Sequence, residues 1–127
     1  MVAWVDYKKA ALERGSLALE LFVAISTPVK PPDILKAQLP GHLAYQAQLE
    51  QSGSLVFAGP LSDLAGEQMQ GMGMIIYRAE SLEAARQLAE SDPMHASGTR
   101  EYTLRRWLVN EGSLTVNVKL SAQSVRL

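Results

Sequence analysis

The chain has 127 residues, a formal charge of −1 at pH 7 and no cysteine. A chain of this size buries roughly two-thirds of the surface it exposes when unfolded, so one core is enough to fold it, and the near balance of charge leaves no basic footprint for nucleic acid. The missing cysteines exclude thiolate nucleophiles, disulfide scaffolds and iron–sulfur ligation, and two histidines, His42 and His95, do not make an all-histidine metal site.

The N-terminus carries Asp6, Lys8 and Lys9 in its first turns, so no secretory apolar segment forms there. Residues 2–13 have helical composition. The longest apolar run, 17–25, is broken by Glu20 and falls far short of the roughly 20 residues needed to span a bilayer. A cytoplasmic protein with no membrane partner is the expectation.

Within that run Leu17, Leu19, Leu21, Val23 and Ile25 recur with period two and predict a strand with one apolar face. Pro28, Pro31 and Pro32 should end it, because proline supplies no ladder donor. Asp33 then offers a cap to a helix carrying Leu35, Leu39, Leu43 and Ala47 at fourfold spacing, with Gly53 at its C-terminus. Pro40-Gly41 should kink or restart that helix, which puts His42 near a helix N-terminus. Residues 55–58 and 72–78 read as strands, the first closed by Gly59-Pro60.

Ser81 caps a second helix with Leu82, Ala85, Leu88 and Ala89 on one face, ended by Ser91-Asp92-Pro93. Residues 102–108 alternate well enough for a fourth strand, and Leu114, Val116, Val118 and Leu120 for a fifth. The order is a ferredoxin-like βαββαβ unit of the α+β class with an extra C-terminal strand. Both helices of such a unit cover one sheet face. The other face, left in water, forgoes roughly 25 cal/mol for each Å² of apolar area it could bury, so a homodimer packed through the sheet face is expected.

Two strings carry a family resemblance. The first is Gly41-His42-Leu43-Ala44-Tyr45 followed by Gly53-Ser54-Leu55-Val56-Phe57-Ala58-Gly59-Pro60-Leu61; the second is the glycine-containing strand 71–77, the Ala- and Leu-rich helix 81–90, and Asp92-Pro93 followed by Gly98. Together they resemble the YCII-related family. Two departures stand out: Met94 follows Asp-Pro where the family has an aromatic residue, and Leu39-Pro40-Gly41 precedes the histidine where the family often has an arginine. If that arginine holds an anionic substrate in the family, either Arg100 or Arg105 takes its place here or the substrate differs.

The resemblance implies a single domain over residues 1–127, with a core at 17–108, an N-terminal extension at 1–16 and a C-terminal strand extension at 109–127. It implies a dimeric α/β barrel, a fold shared with muconolactone isomerases, and a His42–Asp92 pair in a family that includes a dehydrochlorinase. Lyase or isomerase chemistry without a cofactor or metal follows as the expectation, acting on a small cyclic or aromatic-derived organic acid. The alternative is a dimeric module that binds a small metabolite, or serves as an accessory or structural subunit, without turnover.

The residues also support the pair on their own terms. A helix N-terminus favours neutral imidazole, and an aspartate receiving the other ring N–H would hold the tautomer and stabilise the imidazolium. Tyr45, three residues after His42 on the same helix face, is a candidate pocket wall. Ser62, beyond Gly59-Pro60, and His95, three residues after Asp92, are candidate substrate contacts. Each has a plainer reading: core packing for Tyr45, turn formation for Ser62, a solvated loop position for His95. Arg100, Arg105 and Arg106 read as exposed edge charge rather than a joint anion site.

Overall fold

The computed structural model describes all residues from Met1 to Leu127. The chain divides into two compact units, one made of Glu20–Trp107 and the other of Met1–Leu19 with Leu108–Leu127. No helix is long and apolar enough to cross a membrane.

In chain order the elements are α1 (Trp4–Glu13), β1 (Leu19–Pro28), α2 (Pro32–Ser52), β2 (Leu55–Ser62), β3 (Met69–Tyr77), α3 (Leu82–Glu90), the one-turn α4 (Pro93–Ala96), β4 (Arg100–Val109), β5 (Asn117–Lys119) and β6 (Ser124–Arg126). The four long strands form one sheet in the order β2-β3-β1-β4, with β3 antiparallel to both its neighbours. That order and the βαββαβ succession define the ferredoxin-like α+β fold.

The core of the larger unit lies between the sheet and the helices. Phe22 and Ala24 of β1 and Ile75 and Tyr77 of β3 meet Leu49 of α2 and Ala85 and Ala89 of α3. Those two alanines are fully buried, and their small side chains let α3 lie close to the sheet. Ser81 caps α3 by accepting from the Ala84 N–H at 3.1 Å.

The period-two stripe in β1 points the other way from the helices. Phe22, Ala24 and Ser26 are the buried positions on the helix side, so Val23 and Ile25 alternate onto the opposite face. There Val23 pairs with Ile76 and Ile25 with Met74. β1 is an interior strand, and a strand flanked on both sides can carry apolar residues on both faces. β1 runs three residues beyond Ile25 and ends at Pro28, the first of the three prolines. In β2 the register shifts between Leu55 and Phe57, and Pro60 is accommodated because β2 is an edge strand. Phe57 thereby joins Ile76 on the face opposite the helices and is 52% exposed.

Pro40 neither breaks nor restarts α2, which runs as one 21-residue helix. Proline here removes one ladder bond, to the Lys36 carbonyl, and the turn beyond it is held to the core by Leu49 and Tyr45. The predicted fifth strand is shorter than its alternation and does not extend the four-stranded sheet. It pairs instead with β6 in a two-stranded sheet whose residues are all exposed. In the smaller unit Ala11, Ala18 and Leu108 cluster with Trp4, and the Ala18 N–H donates to Asn110 Oδ1 at 3.3 Å.

Candidate functional site

Two helices bring the candidate pair together. α2 packs on α4, and Gly41 makes this approach close: a Cβ placed there would already touch Pro93 Cγ at 3.5 Å. The residue after Gly41 is His42 and the one before Pro93 is Asp92. His42 Nδ1 lies 2.9 and 2.8 Å from the two carboxylate oxygens of Asp92. Asp92 is 1% exposed, whereas the His42 side chain keeps 18% of its surface open. Asp92 also caps α4, its Oδ1 accepting from the Met94 N–H at 2.9 Å. A carboxylate only accepts, so Nδ1 carries the proton of this contact, and in the neutral ring Nε2, which has no protein partner, keeps its lone pair.

The helix-dipole argument for His42 does not apply. His42 sits in the middle of α2, and the dipole acts within the first or last turn. Its environment is set by Asp92 instead.

His42 opens onto a cleft of about 550 Å³ between α2 and the sheet. Leu35, Leu39 and Leu43 of α2 form one wall; Ser26, Gly73 and Ile75 of the sheet form the floor, and Pro60 and Met94 lie at its sides. The lining is mostly apolar, with two cationic side chains, Lys36 and Arg100, and no carboxylate. Tyr45, Ser62 and His95 do not line it. The Tyr45 hydroxyl donates to the Leu88 carbonyl at 2.7 Å, tying α2 to α3, and burial, followed by the charge of Asp92, pushes its pKa up. Ser62 is exposed and donates to the Asp63 carbonyl in the β2–β3 turn.

His95 is neither in a loop nor solvated. It belongs to α4, is 8% exposed, and lies with its ring centroid 4.6 Å from that of Tyr102. Its Nδ1 is 2.8 Å from the Ala89 carbonyl and its Nε2 is 2.8 Å from Ser26 Oγ. Burial pulls the His95 pKa down and outweighs the Ala89 hydrogen bond and the Asp92 charge, which act the other way.

Arg100 is also misread as edge charge. Tyr102 and Leu104 pack against the core, and Arg100 shares their parity on β4. On β1 its Nε donates to Ser26 Oγ at 2.8 Å and its Nη2 to the Ser26 carbonyl at 2.9 Å, and Nη2 reaches on to the Gly71 carbonyl of β3. The alternation with Tyr102 and Leu104 was the signal in the sequence that could have located it. Ser26 had no such signal.

A family model described as the YCII-related domain matches residues 3–108. The uncharacterized protein YjpA of Bacillus subtilis (strain 168) is 34% identical over 67 residues, which cover 53% of this chain and 72% of that protein. Among solved structures, 5-chloro-2-hydroxyhydroquinone dehydrochlorinase (TftG) from Burkholderia phenoliruptrix AC1100, in complex with 2,5-dihydroxybenzoquinone, aligns over 68% of this chain and 92% of that one. The TM-score is 0.49 and the sequence identity 24%.

Proposed function

The chain is a member of the YCII-related family, and from the geometry of its cleft we propose that it is an enzyme of proton transfer or elimination on a small cyclic or aromatic-derived organic acid. The observation that carries this reading is the commitment of His42 Nδ1 to a buried carboxylate in a ring that lines an apolar cleft, with Nε2 free of protein partners. Nε2 takes a proton from carbon. The electron pair of that C–H bond then either enters an adjacent carbonyl, giving an enolate, or forms a double bond as a leaving anion departs. Asp92 holds the ring and balances the imidazolium, which returns its proton to the product or to water. Such chemistry calls for a base, an orienting carboxylate and a sheltered pocket, and asks for no metal or organic cofactor.

The cationic lining, Lys36 and Arg100 without an acidic side chain, favours an anionic substrate. The working form is a homodimer packed through the sheet face opposite the helices, where Val23, Ile25, Met74 and the half-exposed Phe57 lie side by side. Water-facing apolar surface of this kind is what a second copy would cover.

The test is solvent exchange in D2O, read by NMR, over a panel of cyclic keto acids and halogenated cyclic acids. The chain should catalyse deuterium uptake or halide release on at least one of them. His42→Gln should lower the rate at least about 100-fold while far-UV circular dichroism shows the fold retained. Turnover that survives in H42Q removes His42 from the mechanism. Sedimentation of the wild type and of Phe57→Glu tests the dimer, the variant being expected to dissociate.

A further inference from the structure

Arg100 is a cation held by uncharged groups. No carboxylate lies within ion-pair distance of it, although it is only partly exposed and burial works against its charge. A guanidinium has five N–H donors. Nε uses one and Nη2 uses two, on Ser26 Oγ, the Ser26 carbonyl and the Gly71 carbonyl. Both donors of Nη1 have no protein acceptor. Nη1 is not sealed in the interior either, since the single buried, unpartnered side-chain polar atom of the protein is the Tyr77 hydroxyl. Arg100 lines the same cleft as His42.

The bonds behind Arg100 have a forced direction. The Ala89 carbonyl accepts only, so His95 Nδ1 carries a proton and donates to it. Burial favours the neutral ring, which leaves Nε2 as an acceptor for the Ser26 hydroxyl proton. The Ser26 oxygen then offers its lone pairs to the Arg100 Nε–H. Every donor in the series meets an acceptor, and the guanidinium plane is fixed between backbone carbonyls of β1 and β3.

We propose that Arg100 is the docking residue for the anionic oxygen of a carboxylate substrate, received by Nη1, and that Ser26 and His95 are positioning residues that hold its guanidinium in the cleft. The inference rests on the cleft proposed above as the reaction site. A carboxylate bound there has its charge met at the floor, while the carbon skeleton lies against Leu35, Leu39 and Leu43 within the same cavity as His42. Lys36, on the exposed side of α2, adds a second and weaker attraction.

The test uses benzoate and its neutral isostere benzamide, which undergo no proton transfer, so that docking is read separately from the role of His42. NMR titration of the full chain should show benzoate binding more tightly than benzamide. Arg100→Gln should weaken benzoate roughly 10- to 100-fold and abolish the preference, while Arg105→Gln, the same loss of charge at an exposed position on β4, should leave both unchanged. Ser26→Ala should speed exchange of the Arg100 Nε–H with solvent and weaken benzoate severalfold, and His95→Phe should do the same if it folds. Benzoate affinity that is equal in R100Q and wild type, or no preference over benzamide in the wild type, overturns the docking role. An Arg100 Nε–H signal unaltered in S26A overturns the positioning role.

Discussion

Replacing Asp92 with asparagine alters one atom at the centre of the site and separates orientation from shape. The side-chain carbonyl of the new asparagine can keep the Met94 N–H that caps α4, because asparagine caps as well as aspartate. Its NH2 then faces His42 Nδ1 at the 2.8 Å position now held by Oδ2. Two N–H groups cannot face each other across that distance. Oδ1, 2.9 Å from Nδ1, is already engaged by the Met94 N–H, so the new amide N–H at 2.8 Å decides the ring: it favours the proton on Nε2, and the cleft is offered a donor where it had a lone pair. For stability, a charge-assisted hydrogen bond of about 1.5–3 kcal/mol is exchanged for a neutral one of about 0.5–1.5, a net loss of about 1–2 kcal/mol. For turnover the loss is larger, about 100- to 10,000-fold, because the base is in the wrong tautomer. Long-range proton–nitrogen NMR reads which ring nitrogen is protonated and needs no substrate. D92N should show Nε2–H where the wild type shows Nδ1–H. A variant that keeps Nδ1–H, or turns over within about threefold of wild type, refutes the orienting role of Asp92.

His95 makes stability depend on pH, with a definite sign. Its folded pKa is lowered, so below the unfolded value near 6.5 the unfolded chain takes up the proton first. The stabilisation is complete above that pH and is lost as pH falls through it toward the folded value, with a slope of at most about 1.4 kcal/mol per pH unit. The groups facing the ring are Ser26, Ala89, Asp92, His42, Arg100 and Tyr102. Urea denaturation at pH 7.5 and 5.5 should show the decline in wild type and a smaller one in His95→Phe. Tyr77→Phe should be neutral or stabilising by up to about 1 kcal/mol, since its hydroxyl is buried without a partner; a loss in the same denaturation assay would reveal a hidden acceptor. Gly71→Ala should cost about 2–4 kcal/mol, because φ is +98° and the new Cβ would sit 2.9 Å from Pro28 Cγ. Gly53→Ala, at φ +84° but with open space around it, should lose only about 1 kcal/mol by the same measure.

What could be read from the chain and what could not divide along physical lines. Element order was legible because periodicity, the Ser81 cap and the Gly53 terminator are local signals, each written within a few residues. Register was not. The shift between Leu55 and Phe57 depends on how β2 meets β3, and an apolar run such as Leu-Val-Phe-Ala looks the same with or without it. Pro40 does not restart the helix for a related reason: propensity weakens a helix in isolation, but the packing of Tyr45 and Leu49 beyond the residue carries α2 through it. His42 and Asp92 stood out because each belongs to a recognisable string, and Gly41 and Pro93 beside them are the two residues through which α2 and α4 approach.

Ser26, His95 and Arg100 belong to no string, since they come from three elements separated by as many as 74 residues. Their arrangement becomes visible only as a succession of donors and acceptors in space, and it gives the cleft a property the histidine–aspartate contact lacks. A base that faces an apolar hollow accepts protons from many molecules without preference. In the proposed docking, a fixed cation on the floor of the same hollow would restrict which of them arrive, and in what orientation, by receiving a negatively charged oxygen on an N–H of Nη1. In the reaction proposed for this cleft, selectivity would rest with β1, α4 and β4 together and proton transfer with α2 and the cap of α4. Changes at Ser26 should alter which anions bind and leave the His42 tautomer untouched.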